Sequence, residues 1–84
     1  MDDNETAEKL VLAAEALYGA HATQLVHSYG TDDHLQATKN IALAAKVIQK
    51  LGGQVVPVDQ GTLTAHYVVL DAKGKPVPNN VRLA

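Results

Sequence analysis

The strongest hydrophobic pattern in the chain covers residues 31–53 and predicts an amphipathic helix. Apolar side chains recur there at steps of three and four positions, which places them on one face: Ala37, Ile41, Ala44, Ile48 and Leu51. Thr31 or Asp32 can cap the first free amides, and Gly52 and Gly53 end the helix. Large and small residues alternate on this face, so a second helix can pack closely against it. We expect truncation of either isoleucine to cost more stability than any other aliphatic truncation in this helix.

The preceding segment has the same period and predicts the partner helix. Asp2, Asp3 and Asn4 can all act as N-caps, so the helix should begin within the first five residues. Its apolar face contains residues spaced by three or four: Leu10, Ala13, Ala14, Leu17, His21, Gln24 and Leu25. Gly30 favours a chain reversal, and the short link of residues 29–31 makes the two helices antiparallel. Residues 4–52 are therefore predicted to form a helical hairpin.

After Gly53 the hydrophobic period changes from helical to two, which is typical of strands. Residues 54–58 predict a short first strand, and residues 62–71 predict the main one. In the main strand one alternating set should face the helices: Leu63, Ala65, Tyr67 and Val69. Pro76 and Pro78 favour an edge, so residues 81–83 predict a last short strand. The predicted fold is a single α+β domain, with an N-terminal antiparallel helical hairpin followed by a three-stranded antiparallel β-meander over about residues 54–84.

The composition predicts a thin core and self-association. The chain has 84 residues, and only 4% of them are aromatic. A domain of this length buries about 60–65% of the surface that its unfolded chain exposes, so its stability margin is small. It has no cysteine, which excludes disulfides, thiolate metal sites and a cysteine nucleophile. Leu12, Val26 and Leu43 fall outside the apolar stripes of the two helices, and we expect them to be covered by another copy in a homodimer with a helical interface.

Charge is distributed unevenly along the chain. The net charge of −2 offers no general attraction to nucleic acid or to anionic lipid. Acidic residues crowd the first predicted helix and most cations follow Lys39, an asymmetry that could pair the two helices. Lys39, Lys46 and Lys50 form a row on the outer face of the second helix, which leaves weak nucleic-acid binding as an alternative. A single arginine and few aromatic residues count against it.

The sequence predicts a cytoplasmic protein without a membrane partner. The first nine residues are acidic where a secretory signal peptide would be basic. No apolar run approaches the roughly 20 residues that a membrane span needs. We therefore expect a soluble, cytosolic chain.

Histidines are the candidate metal ligands near neutral pH. His27, His34 and either Asp32 or Asp33 could converge around the bend between the helices, and nitrogen and carboxylate oxygen together suit zinc. The alternative is that they are solvated bend residues. We favour that alternative because no two of these histidines have the i, i+4 spacing of a helical metal pair. His21 differs, since it falls on the apolar stripe and is either a hydrogen-bonded core residue or a pH-responsive group.

Catalytic motifs are not evident in the sequence. Ser28 next to His27, with Asp32 beyond, has the residue types of a nucleophilic triad, but adjacent side chains on a helix point about 100° apart. The glycine pair follows a helix, whereas a phosphate-binding loop precedes one. We expect no enzymatic activity, no cofactor and no metal.

The remaining hypothesis is a protein-interaction module. Tyr18 and Tyr29 lie at the margins of the first helix's apolar face, where we expect them to be half exposed and available as anchors. We interpret the chain as an accessory or regulatory factor that acts by protein contact with another copy of itself or with an unidentified protein. The alternatives are a histidine-based metal- or pH-responsive module and a weak nucleic-acid binder.

Overall fold

The fold was determined as a computed structural model, which describes residues 3–80. Two helices precede a three-stranded antiparallel sheet in the order β1-β2-β3, which confirms the predicted hairpin and meander. The elements are α1 (Asp3–Val26), α2 (Asp32–Lys50), β1 (Gln54–Val58), β2 (His66–Leu70) and β3 (Pro76–Val77). The capping position predicted at Asp2 lies outside the described residues.

The start of α2 follows the predicted capping chemistry. The Thr31 side-chain oxygen accepts a hydrogen bond from the His34 amide at 3.2 Å, which satisfies one of the free N–H groups of the first turn. Asp32 and Asp33 follow at the positive end of the helix dipole, and Lys50 lies in the last turn. These local signals fix where the second helix begins and ends.

Gly53 joins the helical half to the sheet at a position where there is no room for a side chain. It is buried, and a Cβ atom there would lie 2.7 Å from the Leu70 carbonyl oxygen, 2.9 Å from Ile48 Cγ2 and 2.9 Å from Leu10 Cδ1. Only a residue without a side chain allows α1, α2 and β2 to meet at this point. The predicted change of structure at Gly53 is confirmed.

The sheet presents one face to the helices. Val55 pairs with Val69 and Val69 with Val77, so these three side chains point the same way, together with Tyr67. Val69 and Val77 are buried in the core, and Val55 and Tyr67 pack against it. The third strand is Pro76–Val77, earlier than the predicted residues 81–83, which lie outside the described residues.

The main strand is shorter than predicted, and its register begins at His66. Asp59 and Gly61 both have positive φ, and the Thr62 hydroxyl donates to the Asp59 carbonyl at 2.7 Å. Residues 59–65 therefore fold as a loop stabilised by its own side chains. Leu63 is fully exposed at its tip, so the prediction that it faces the helices is wrong.

Candidate protein-interaction site

An apolar groove runs along the seam between α1 and α2, on the side of the hairpin that the sheet does not cover. Tyr18 and His21 contact the sheet and lie on roughly the opposite side of α1 from the groove. We call this feature the open groove. It is lined by large aliphatic side chains and by small residues that form its floor: Leu12, Leu43, Val47, Ala16, Gly19 and Ala20.

The aliphatic residues of the open groove are strongly exposed. The exposed fraction is 64% for Leu12, 60% for Leu43 and 47% for Val47. No side chain approaches within 4 Å of the position that a Cβ at Gly19 would occupy, so the floor of the groove is open as well. Together these residues form one contiguous apolar surface, whereas scattered single aliphatics on a protein surface are ordinary.

The open groove has an acidic rim on α1 and a basic rim on α2. Glu8 and Glu15 follow Leu12 around α1, on the side away from α2. Lys39, Lys46 and Lys50 follow Leu43 around α2, on the side away from α1. None of these five residues forms an ion pair with another of residues 3–80. The sequence suggested that these opposite charges could pair the two helices of one chain. In the structure these five residues do not pair with each other.

The structure brings some of the predicted interface residues together and separates others. Leu12 and Leu43 both line the open groove, from opposite helices. Val26 is exposed near the end of α1, and Tyr29 projects into solvent at the bend with an exposed fraction of 93%. Val47 also lines the open groove, and the sequence analysis did not name it as a contact residue. The signal that could have identified it is its place one helical turn beyond Leu43.

Tyr18 is buried, so the prediction that it is a half-exposed anchor is wrong. Its exposed fraction is 4%. The Tyr18 hydroxyl donates to the Val77 carbonyl oxygen at 2.8 Å and accepts from the Val69 amide at 2.9 Å. A buried tyrosine hydroxyl needs such partners, and here they come from two strands of the sheet. Tyr18 therefore fastens α1 to the sheet and is not available to a partner.

The bend between the helices does not bring the candidate metal ligands together. His27 Nδ1 lies 3.7 Å from Asp33 Oδ2, but the His34 ring packs edge-on against Tyr29 at 5.4 Å between centroids. Across residues 3–80 no three histidine, aspartate or glutamate side chains come together in a way that could hold a metal ion. His27 and His34 thus have local partners at the bend.

His21 and His66 lie beside one cleft between α1 and β2. The His21 ring packs edge-on against Tyr67 at 5.0 Å, and His66 Nδ1 lies 2.7 Å from the Thr64 carbonyl oxygen. Desolvation, followed by the nearby His66, lowers the pKa of His21 from its usual value of 6.5. His21 therefore prefers the neutral form at neutral pH.

Neither a protein-family model, nor a curated protein, nor a solved structure shows significant similarity to this chain. Within residues 3–80, no helix has the length and apolar character to cross a membrane. The interpretation of the open groove accordingly depends on its own shape and chemistry.

Proposed function

We propose that the protein is a non-enzymatic interaction module that acts by protein contact, as an accessory or regulatory factor. The contact surface is the open groove, and the protein forms a homodimer through it. Leu12 and Leu43 are the central contact residues, and Val47 extends the surface along α2.

One observation supports this proposal above the others, namely the contiguous exposure of aliphatic residues from both helices. Exposed apolar patches of this kind mark contact sites in soluble proteins because covering them removes apolar surface from water. The small floor residues Ala16, Gly19 and Ala20 add to this argument, since they let the backbone of a partner helix approach closely.

The alternatives have less support from the described residues. Lys39, Lys46 and Lys50 are exposed, whereas Lys73 lines a pocket beside Asp3 and Asn4 at the start of α1. Of these four lysines, all within residues 3–80, Lys73 is therefore next to a carboxylate, which lowers its attraction for a phosphate backbone. We do not propose nucleic-acid binding or metal binding.

Leu43→Glu tests the proposal. The substitution places a carboxylate on the apolar surface of each copy, where it would be buried without a partner in the dimer. We expect the wild type to sediment at twice its chain mass of 8.9 kDa, and the variant to dimerise about a hundredfold more weakly. Circular dichroism should show unchanged helix content, because Leu43 is exposed in the single chain.

Leu63→Glu is the matched control, since it makes the same chemical change at an exposed leucine outside the open groove. We expect it to leave the sedimenting mass unchanged. A wild type that stays monomeric over a wide concentration range contradicts the homodimer. Equal losses from both variants would place the contact outside the open groove.

A further inference from the structure

We propose that the occupant of the open groove is a second copy related by a two-fold axis that runs parallel to the helices. In this arrangement α1 of each copy lies over α2 of the other. The four helices form two packed layers, and a sheet covers the outer side of each layer. The inference rests on the proposed self-association and specifies its geometry. Its argument comes from the charges on the two rims.

Two contacts show which residues of α1 and α2 lie at the same height along the common direction of the helices, which we call their level. Gln24 Nε2 donates to Thr38 Oγ1 at 2.9 Å near the bend, and Leu10 and Ile48 meet at Gly53 near the other end. Because the helices are antiparallel, Glu15 then lies level with Lys46. By the same geometry Glu8 lies level with Lys50.

A two-fold axis parallel to the helices keeps every residue at its level and exchanges the two rims. The acidic rim of one copy then faces the basic rim of the other, with Glu15 opposite the second copy's Lys46 and Glu8 opposite its Lys50. Each pair occurs twice because the interface is symmetric. Charges that have no ion-pair partner within residues 3–80 of one chain acquire one in the dimer.

A two-fold axis across the helices gives the opposite result. It places α1 over α1 and α2 over α2, so glutamates face glutamates and lysines face lysines. Juxtaposed like charges disfavour association. The charge pattern therefore selects the arrangement of α1 over α2.

The dimensions of the molecule and the ends of the groove agree with this arrangement. The principal extents of 41 × 23 × 22 Å give the helical side a footprint on the scale of the roughly 800 Å² per partner found in stable complexes. Glu5 and Lys9 lie one helical turn apart at the end of the groove nearest the start of α1. Their opposite charges offset each other there.

Charge reversal tests the arrangement. We expect Glu15→Lys and Lys46→Glu each to weaken the dimer about tenfold at low salt, because each creates two like-charge contacts. The double variant Glu15→Lys with Lys46→Glu should restore the wild-type dissociation constant, since it rebuilds both pairs with the signs exchanged. With α1 over α1, each single variant would place its reversed charge on a rim that faces the same rim of the other copy, so neither variant would weaken the dimer.

Lys39→Glu is the matched control on the same helix. Lys39 belongs to the basic rim but lies level with Thr23, so no acidic residue faces it in the proposed dimer. It alters the net charge as Lys46→Glu does. We expect a change in affinity well below tenfold, and a loss equal to that of Lys46→Glu would overturn the specific pairing.

A distance measurement provides an independent test. The chain has no cysteine, so Ser28→Cys gives one attachment point for a spin label at the bend. The proposed axis brings the two bends to the same end, and the label separation should fall well short of the 41 Å length of one chain. A separation at or beyond that length, or a double variant that stays weak, overturns the arrangement while leaving self-association intact. A monomeric wild type overturns the proposed function as well.

Discussion

The two sides of the helical hairpin contain the same kinds of residue but differ in what covers them. On the sheet side, Leu10 and Leu17 are buried and Tyr18 is hydrogen-bonded to two strands. On the other side, Leu12 and Leu43 are more than half exposed in an open groove. The residues of the most regular apolar stripe identify the side that packs into the core of the chain. The aliphatic residues outside that stripe identify the side that is available for contact with a partner.

The largest expected difference between the two sides is in the free energy of unfolding of variants at Ile48 and Val47. Ile48 is fully buried and its neighbour Val47 is half exposed. Ile48→Ala leaves a cavity in the core and should lower the free energy of unfolding by about 2–4 kcal/mol. Val47→Ala should lower it by less than about 0.5 kcal/mol in the monomer. Urea unfolding at low protein concentration measures both, and similar losses would contradict the assignment of sides.

Ile41 refines this prediction. The sequence ranked it with Ile48, but it is only partly buried and packs at the border of the core. We expect Ile41→Ala to cost less than Ile48→Ala, because part of its side chain remains in water in the folded chain. The same urea series ranks the two.

The tyrosine that fastens the covered side gives the next largest effect. Tyr18→Phe removes the hydroxyl that bonds the Val69 amide and the Val77 carbonyl, and it leaves both strand groups without this partner. We expect a loss of about 1–3 kcal/mol. Tyr29→Phe is the matched control, because Tyr29 is almost wholly exposed and should tolerate the change. Equal thermal melts for the two variants would show that the hydroxyl of Tyr18 does not stabilise the contact with the sheet.

The smallest expected effect is the pH dependence of stability that comes from His21, at the edge of the side that the sheet covers. The pKa of His21 is lowered in the folded chain, so the unfolded chain binds the proton more tightly. The stability that the neutral ring provides is therefore complete above the usual pKa of 6.5 and declines as the pH falls below it. His21→Gln should flatten this decline. NMR titration of the His21 ring with a midpoint at or above 6.5 would contradict the prediction.

Much of the fold was predictable because it depends on local rules. The change of period at Gly53 separated helices from strands, and Thr31 marked the start of α2 through its capping side chain. Leu12 and Leu43 were recognisable as exposed because they fall outside the stripes. Each of these signals can be read from spacing within a few residues.

The rest depends on contacts between distant parts of the chain or on loop chemistry. The Tyr18 hydroxyl bonds groups 51 and 59 residues away, and no local pattern reveals such partners. Leu63 continued an alternating pattern, yet the hydrogen bonds of the loop around Asp59 removed it from the strand. Val47 borders both the buried stripe and the open groove, and its spacing alone does not show which of the two surfaces it joins.

The loop of residues 59–65 has a practical consequence for protein engineering. Its hydrogen bonds join Thr62 and Thr64 to Asp59, and Leu63 at its tip is exposed. Lengthening such a loop costs little because loop-closure entropy grows slowly with length. The same insertion at Gly53 would force apart two helices and a strand that meet there. A reporter domain or a protease recognition sequence spliced between Gln60 and Gly61 would therefore leave both sides of the helical hairpin unaltered.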